Sequence, residues 1–319
     1  MVEKKVIFVF PGQGVQYPGM GLDLAELSAV ARKIYDTASV VLERDIIKII
    51  RDSDAETLKR TDISQPAISA ASLAAAACLQ ERGIFPTACA GFSVGEYPAL
   101  ACAGVISAED CFRLTDARGK AMQAATDNIK AASPGEAPGM AAVIGLHPEQ
   151  VESLIAQWKK EGLENLYAAN INSSKQVVVS GSAAALTEAQ KLFKEAGARR
   201  FLPLQVAGPF HSPFMKEAEE AFAPILEKIH FNDPVIKLFS NVTGKQINTG
   251  EEAKNLALKQ ITGTVRWTDE EAALIELHSD ALVETGPGSV LQGLWRDTGS
   301  AVPCYAAGTA AEILEITKE

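Results

Sequence analysis

A serine between two glycines is the first candidate for chemistry in this 319-residue chain. Within the stretch Ala88–Tyr97, a short apolar run leads into Gly91-x-Ser93-x-Gly95 and then into a predicted helix start. This order fits a nucleophile elbow, in which a sharp strand-to-helix turn presents the serine hydroxyl beside free backbone N–H groups. An ordinary turn between a strand and a helix can have the same letters, so other residues must decide between the two interpretations.

A serine nucleophile needs a base, because its hydroxyl is a very weak acid at neutral pH. Of the four histidines, His147, His230 and His278 lie at predicted helix ends or in an acidic helical stretch, and we interpret them as surface or capping residues. His211 lies in Gly208-Pro-Phe-His-Ser-Pro-Phe-Met215, where the glycine and prolines predict a rigid loop. It follows the serine in the chain, as an elbow enzyme requires, and is the candidate base.

Two further polar residues follow elements that could bring them to the same site. The continuous apolar run Val6–Phe10 predicts a strand buried on both faces, and the turn that follows contains Gln13. Ligands of open α/β sheets bind at this end of a strand, although a polar turn residue is the more common explanation. Arg118 lies beside Gly119 on a predicted helix beginning at Ser107, where a solvated surface charge is the usual interpretation.

The middle of the chain predicts a small inserted domain. A Pro- and Gly-rich segment precedes a strand, a helix, two strands, a helix and a last strand, over Met140–Leu146, Pro148–Glu161, Leu166–Asn172, Gln176–Gly181, Ala183–Ala196 and Arg200–Val206. The order β-α-β-β-α-β is ferredoxin-like. We therefore predict an α/β fold, with an α/β-hydrolase-like subdomain of residues 1–129 and 206–319 around a central parallel sheet and a ferredoxin-like insert at 130–205.

Composition narrows the classes of function. With 47% hydrophobic residues the chain can bury a sizeable core, and its net charge of −10 disfavours nucleic acid or an anionic membrane as a partner. Five cysteines without a C-x-x-C pair are expected to be reduced, which suits a cytoplasmic location. We expect no signal peptide, no membrane span and no metal site, because no run has the required length and no His/Cys cluster has ligand spacing.

Motifs in a fixed order carry a resemblance to a known family. They are Phe10-Pro-Gly-Gln-Gly14, Gly91-Phe-Ser-Val-Gly-Glu96, Ala117-Arg-Gly-Lys-Ala-Met122, Ala169-Asn-Ile-Asn172 and Gly208-Pro-Phe-His-Ser-Pro-Phe-Met215. With these motifs the sequence resembles the malonyl-CoA:acyl carrier protein transacylases, whose superfamily includes the acyltransferase domains of fatty-acid and polyketide synthases (PKS). The resemblance covers nearly the whole chain, including the position of the insert.

The resemblance implies a role for each matched residue. Ser93 would be the acylated nucleophile and His211 the general base and then acid. The backbone N–H groups of Gln13 and Val94 would form the oxyanion hole, and Arg118 would hold the free malonyl carboxylate through its planar guanidinium. The remaining matched positions would bind or orient the substrate and the histidine: Gln260, Met122, Phe210 and Asn172.

The implied reaction is a ping-pong transfer of malonyl from malonyl-CoA to the phosphopantetheine thiol of acyl carrier protein, feeding fatty-acid synthesis. No cofactor is bound, because CoA arrives with the substrate and phosphopantetheine with the partner protein, and the enzyme is expected to be a monomer. Three alternatives stay open: a trans-acting polyketide acyltransferase, a serine hydrolase or thioesterase that uses water, and a non-catalytic docking module for the carrier protein.

One residue departs from the family pattern. The family usually has histidine before the nucleophile, whereas this chain has Phe92. Since His211 supplies the base, this change is not expected to abolish acylation, but it could alter local packing or acyl selectivity. Phe210 matches the form typical of malonyl-selective acyltransferases and, together with Arg118, favours malonyl over methylmalonyl or a plain acyl group.

Overall fold

Two separate sheets and the helices around them make up the computed structural model, which describes residues 4–133 and 135–318. The strands are β1 Val6–Phe10, β2 Pro86–Gly91, β3 Gly139–Ile144, β4 Leu166–Ser173, β5 Gln176–Gly181, β6 Arg200–Pro203, β7 Lys237–Phe239, β8 Gln246–Ile247, β9 Ala281–Glu284 and β10 Cys304–Ala306. The helices are α1 Leu22–Leu27, α2 Ala29–Leu42, α3 Ile46–Asp52, α4 Ala55–Lys59, α5 Thr61–Glu81, α6 Glu96–Cys102, α7 Ala108–Ala132, α8 Pro148–Lys160, α9 Ala183–Glu195, α10 Lys216–Leu226, α11 Gly250–Lys259, α12 Trp267–Ile275, α13 Val290–Asp297 and α14 Ala310–Ile316.

The larger sheet is mostly parallel, which confirms the predicted central parallel sheet. Its order is β10-β9-β1-β2-β7-β8, and only the short β8 runs antiparallel to its neighbour. Every residue of β1 is buried, as expected for a strand covered on both faces. Because β1 and β2 are parallel neighbours, the turn after Phe10 and the turn after Gly91 meet at the same edge.

The smaller sheet is antiparallel, with the order β4-β5-β3-β6. Helices α8 and α9 pack on it through an apolar cluster in which the rings of Trp158 and Phe193 lie edge to face at 4.7 Å. Its edge strand β4 joins the segment before α12 by backbone hydrogen bonds. The N–H of Ile171 donates to the Val265 carbonyl at 2.8 Å, and the N–H of Val265 donates to the Ala169 carbonyl at 2.9 Å.

Helices α5 and α7 pack closely at the residue next to the candidate arginine. A Cβ placed on Gly119 would lie 2.6 Å from the Thr61 carbonyl oxygen, so only glycine permits this approach. The glycine therefore marks a close helix contact, and its neighbour Arg118 has a fully buried side chain. The usual interpretation of such an arginine as a solvated surface charge is wrong here.

None of the described helices combines the length and apolar character needed to cross a membrane.

The elbow itself leaves no room for side chains beside the serine. A Cβ on Gly91 would lie 2.0 Å from the Gly95 carbonyl oxygen, and one on Gly95 would lie 2.1 Å from the Phe10 carbonyl oxygen. These obstacles are backbone atoms, which cannot turn aside as a flexible side chain could. Both glycines are therefore required by packing.

Replacing Gly91 with alanine is expected to lower the free energy of unfolding by about 1–3 kcal/mol, because the added methyl group forces the backbone apart. The control is Gly293→Ala in α13, where an added Cβ meets nothing closer than 3.9 Å and alanine favours the helix. That variant should be slightly more stable than the wild type. Urea unfolding measures both, and equal stability of the two variants would contradict this account of the elbow.

Candidate active site

Ser93 and His211 form the centre of the site. Ser93 Oγ lies 2.8 Å from His211 Nε2, although the two residues come from distant parts of the chain. Both residues have a left-handed backbone, with φ of 53° at Ser93 and 54° at His211. A non-glycine residue in this region costs about 1–2 kcal/mol, and such strain is typical of functional sites.

The second ring nitrogen of His211 sets its tautomer. Nδ1 lies 2.9 Å from the backbone carbonyl oxygen of Gln260, an atom that can only accept a hydrogen bond. Nδ1 therefore carries the proton, and Nε2 presents a lone pair to the hydroxyl of Ser93. The histidine is thus oriented by a backbone carbonyl and not by a carboxylate.

Burial, followed by the nearby positive charge of Arg118, lowers the pKa of His211 to about 4. The imidazole is therefore neutral at physiological pH and able to accept the serine proton.

This pKa predicts the acid side of the pH profile. A base works only when it is unprotonated, so lowering its pKa keeps it active at lower pH. Acylation of Ser93 should stay constant between about pH 5 and 6.5, where an ordinary histidine titrates, and fall with a midpoint of about 4. Single-turnover rates at each pH measure this, with circular dichroism to show that the fold persists. A midpoint near 6.5 would contradict the effect of burial.

Arg118 brings a positive charge to the serine. Its Nη2 donates to Gln260 Oε1 at 2.9 Å and approaches Ser93 Oγ at 3.3 Å. The guanidinium lies 5.7 Å from the centre of the Tyr97 ring, and Nε has no hydrogen-bond partner among the described residues. A buried guanidinium with a free donor and no carboxylate partner in the described chain is suited to bind an anionic group.

Gln260 connects the nucleophile, the base and the arginine. Besides its contacts with His211 and Arg118, its Nε2 donates to the Ser93 carbonyl oxygen at 3.0 Å. The residue lies at the end of α11 and is fully buried. Its backbone carbonyl, and not its side chain, makes the contact with the imidazole.

Two of the other candidate residues line a cavity, and the other three are buried. Gln13 and Phe210 line a cavity of 610 Å³, and the side chain of Gln13 donates to the Lys59 carbonyl oxygen at 3.2 Å. Val94 follows the nucleophile and is fully buried. Met122 is buried with its sulfur 3.5 Å from Gln65 Nε2, and the buried Oδ1 of Asn172 has no partner among the described residues.

Phe92 points away from the arginine. Its ring packs edge to face on Trp267 at 5.6 Å, within the apolar cluster that contains Val9 and Ala90. Tyr97, which lies beside Arg118, belongs to the cluster on the other face of the sheet. The residue that departs from the family pattern therefore contributes to packing behind the sheet, away from the arginine.

Asn241 is the main contact that sequence reasoning missed. Its Oδ1 accepts from the backbone N–H of Ser93 at 2.6 Å, and its Nδ2 donates to the Gly91 carbonyl oxygen at 2.6 Å and to Glu270 Oε1 at 2.7 Å. The backbone N–H of Asn241 donates to Glu96 Oε2 at 2.7 Å. One signal was available, since Asn241 follows the short apolar strand β7 of the same parallel sheet and so lies at the same edge.

Both glutamates beside Asn241 are fully buried. Burial raises the pKa of Glu96 to about 7, while the positive charge of Arg118 acts in the opposite direction. Burial, followed by the Glu96 carboxyl, raises the pKa of Glu270 well above its usual range. Both carboxyls thus favour the neutral form more strongly than an exposed glutamate does.

Comparison with known proteins defines the class. The family model described as "Acyl transferase domain" matches residues 7–314. The chain is thus an acyltransferase.

Individual relatives identify a family within this class. The malonyl CoA-acyl carrier protein transacylase of Haemophilus influenzae is 40% identical over 293 residues, covering 91% of each chain. An acyl carrier protein S-malonyltransferase from Vibrio cholerae superposes with a TM-score of 0.90 at 36% identity, covering 98% of this chain and 99% of that one. A malonyl-transacylase solved in complex with its type II PKS acyl-carrier protein gives a TM-score of 0.90 at 35% identity, with the same coverage. The chain belongs to the malonyl CoA-acyl carrier protein transacylase family.

Proposed function

We propose that this enzyme transfers the malonyl group of malonyl-CoA to the phosphopantetheine thiol of acyl carrier protein, as a step of fatty-acid synthesis. One observation carries the proposal: the hydroxyl of Ser93 lies within reach of both a neutral histidine and an unpaired buried arginine. The histidine suits acyl transfer, and the arginine suits an acyl group that ends in a carboxylate. The names of the relatives point to the same substrates.

The first half-reaction acylates the serine. Ser93 Oγ attacks the thioester carbonyl of malonyl-CoA while His211 Nε2 takes the hydroxyl proton. The backbone N–H groups of Gln13 and Val94 stabilise the negative oxygen of the tetrahedral intermediate. As the C–S bond breaks, His211 returns the proton to the sulfur of CoA, which leaves as the thiol.

The second half-reaction runs through the same groups. His211 takes the proton of the phosphopantetheine thiol, whose sulfur attacks the malonyl ester of Ser93. Collapse of the intermediate breaks the ester bond, and the proton returns to Ser93 Oγ. Arg118 holds the malonyl carboxylate in both steps, so the same geometry serves donor and acceptor thiols.

The remaining candidates shape the substrate site. Phe210 and Gln13 line one cavity, and we assign that cavity to the pantetheine arm of the substrates. Met122 and the unpartnered Oδ1 of Asn172 supply the buried surroundings of the acyl group. Gln260 holds Arg118 by its side chain and His211 by its carbonyl oxygen. No cofactor is needed, because both thiols arrive with their carriers.

We interpret the architecture as an α/β-hydrolase-like subdomain of residues 1–129 and 206–319 with a ferredoxin-like insert at 130–205. The elbow between β2 and α6 supports the first assignment. The chain order of β3-α8-β4-β5-α9-β6, in one antiparallel sheet, supports the second. Helix α7 continues to Ala132, so it crosses the first boundary.

Intact-mass measurement after incubation with malonyl-CoA tests the proposal. The expected result is a gain of one malonyl group, located on Ser93 by fragmentation, which is discharged when holo acyl carrier protein is added. An adduct that disappears in buffer alone at the same rate would identify a hydrolase. Absence of any adduct would leave a non-catalytic docking module. Transfer to a polyketide carrier but not to the fatty-acid carrier would identify the polyketide variant.

Docking of the acidic carrier protein needs a basic surface on this acidic enzyme. Arg199 and Arg200 are exposed at the start of the edge strand β6. Reversing both charges to glutamate is expected to raise the KM for the carrier protein about 5- to 10-fold at low salt, and less at high salt. Lys33→Glu on α2, another exposed cation, is the control. An unchanged KM for the double variant would exclude this pair.

A further inference from the structure

Glu270 is a buried acid that the mechanism above leaves without a role. It lies in the first turn of α12 and is fully buried, and it forms no ion pair with any described residue. Its Oε1 accepts from Asn241 Nδ2 at 2.7 Å, while Oε2 has no partner in the described part of the chain. An unsatisfied buried carboxyl oxygen destabilises a fold, so a role for this residue must lie in its one contact.

That contact completes the hydrogen bonding of the Asn241 side chain. A primary amide offers two N–H donors and two oxygen lone pairs. The donors go to the Gly91 carbonyl oxygen and to Glu270, and the lone pairs accept from the Ser93 N–H and from Gln260 Nε2 at 3.2 Å. With every position used, the amide has one orientation and no freedom to turn.

The amide in turn holds both ends of the nucleophile turn. Gly91 and Ser93 lie on either side of Phe92, and Asn241 bonds to the carbonyl of the first and the N–H of the second. Ser93 has a left-handed φ of 53°, a conformation that a serine keeps only when its surroundings enforce it. Asn241 supplies that enforcement from the neighbouring strand end.

We infer that Glu270 is a positioning residue for the malonyl transfer proposed above: it accepts from Asn241 Nδ2, locks the amide against the elbow, and so keeps Ser93 Oγ at hydrogen-bonding distance from His211. Without this acceptor, one N–H of Asn241 is buried and unpaired. The amide can then relieve the loss only by turning away from Gly91 or from Ser93. The inference rests on the proposed function, because malonyl transfer is the reaction whose rate it concerns. The hydrogen bonds that carry it, however, involve only the enzyme's own residues around Ser93.

The contact with Asn241 determines which replacements are informative. Oε1 of Glu270 accepts from Asn241 Nδ2, and the amide of glutamine has an acceptor oxygen that can take the same place. Glu270→Gln therefore conserves the contact, whereas Glu270→Ala removes it. Glu270→Met restores the volume without an acceptor and replaces the alanine variant if that protein does not fold.

Single-turnover acylation by malonyl-CoA tests the inference. Glu270→Ala is expected to slow formation of malonyl-Ser93 about 5- to 100-fold at saturating malonyl-CoA, with the half-saturating concentration unchanged. Glu270→Gln should stay within about threefold of the wild type. The matched control is Glu271→Ala, since Glu271 is also buried in α12 but bonds to Trp267 Nε1 at 2.9 Å. It should lose stability without slowing acylation.

A double variant separates positioning from general destabilisation. If Glu270 acts through Asn241, then Asn241→Ala and Asn241→Ala/Glu270→Ala should react at the same rate. Rates that multiply in the double variant, or a Glu270→Ala enzyme as fast as the wild type, would overturn the inference.

Labelling with a fluorophosphonate, which reports the reactivity of Ser93 without a malonyl group, separates the two proposals. A wild-type enzyme that reacts with this probe but not with malonyl-CoA would refute the proposed function alone. Slower labelling of Glu270→Ala, but not of Glu271→Ala, would still support positioning. Equal labelling rates would refute it.

Discussion

Replacement of His211 by alanine is expected to slow formation of malonyl-Ser93 by about 10²–10⁴-fold. The reason is the geometry of Nε2, whose lone pair faces the serine hydroxyl at 2.8 Å while Nδ1 is held by a backbone carbonyl. No other described side chain that contacts Ser93 Oγ can accept its proton, since the second contact is the guanidinium of Arg118. Rapid quenching followed by intact-mass measurement gives the rate constant.

A matched histidine is available as the control. His278 also has a left-handed backbone, with φ of 50°, and is exposed in the loop after α12. Alanine at position 278 removes the same side chain from the same type of backbone without touching the site. It should acylate at the wild-type rate. Equal acylation rates for the two alanine variants would show that another group takes the serine proton.

Replacement of Arg118 by alanine is expected to lower kcat/KM for malonyl-CoA about 100-fold and to leave or raise activity with acetyl-CoA. The guanidinium is buried, has no acidic partner in the described chain, and points Nη2 at the serine. A malonyl carboxylate supplies the missing charge, whereas an acetyl group cannot. The ratio of the two specificity constants is the measurement, because general damage to the site would lower both.

Two variants complete this comparison. Arg118→Lys keeps the charge but loses the planar pair of donors, so it should recover only part of the preference for malonyl. Arg113 lies on the same helix, but its side chain is exposed and paired with Asp110. Arg113→Ala should therefore leave both specificity constants unchanged. Equal malonyl transfer by the wild type and Arg118→Ala would exclude a carboxylate-binding role.

Local patterns along the chain predict part of this site. Each strand end that carries chemistry is marked by a short apolar run followed by glycine or proline, which places Gln13 and Ser93 at one edge of the sheet. The sequence also predicts His211 on a constrained loop, and the structure brings it to Ser93. The roles of these residues stay predictions until the variants are measured.

Contacts between distant segments explain what the sequence could not predict. Burial of Arg118 depends on distant segments, because its guanidinium contacts Ser93 and Gln260, and no pattern on α7 alone contains these contacts. The pairing of Asn241 with Glu270 joins a strand end to a helix start, and an acidic residue in a first helical turn normally indicates only a favourable helix terminus. Helix α5 begins at Thr61 and carries Pro66 in its second turn, beyond the first turn that proline favours. Tertiary packing outweighs the hydrogen bond that this proline lacks.

The backbone link between the two sheets has a mechanical consequence. Val265 is bonded to Ala169 and Ile171 of the small sheet, and it lies in the chain between Gln260, which touches the catalytic pair, and α12, which carries Glu270. The small sheet cannot swing outward without breaking these hydrogen bonds or pulling on that segment. A displacement of the small sheet is thus coupled through this one segment to the alignment of the nucleophile.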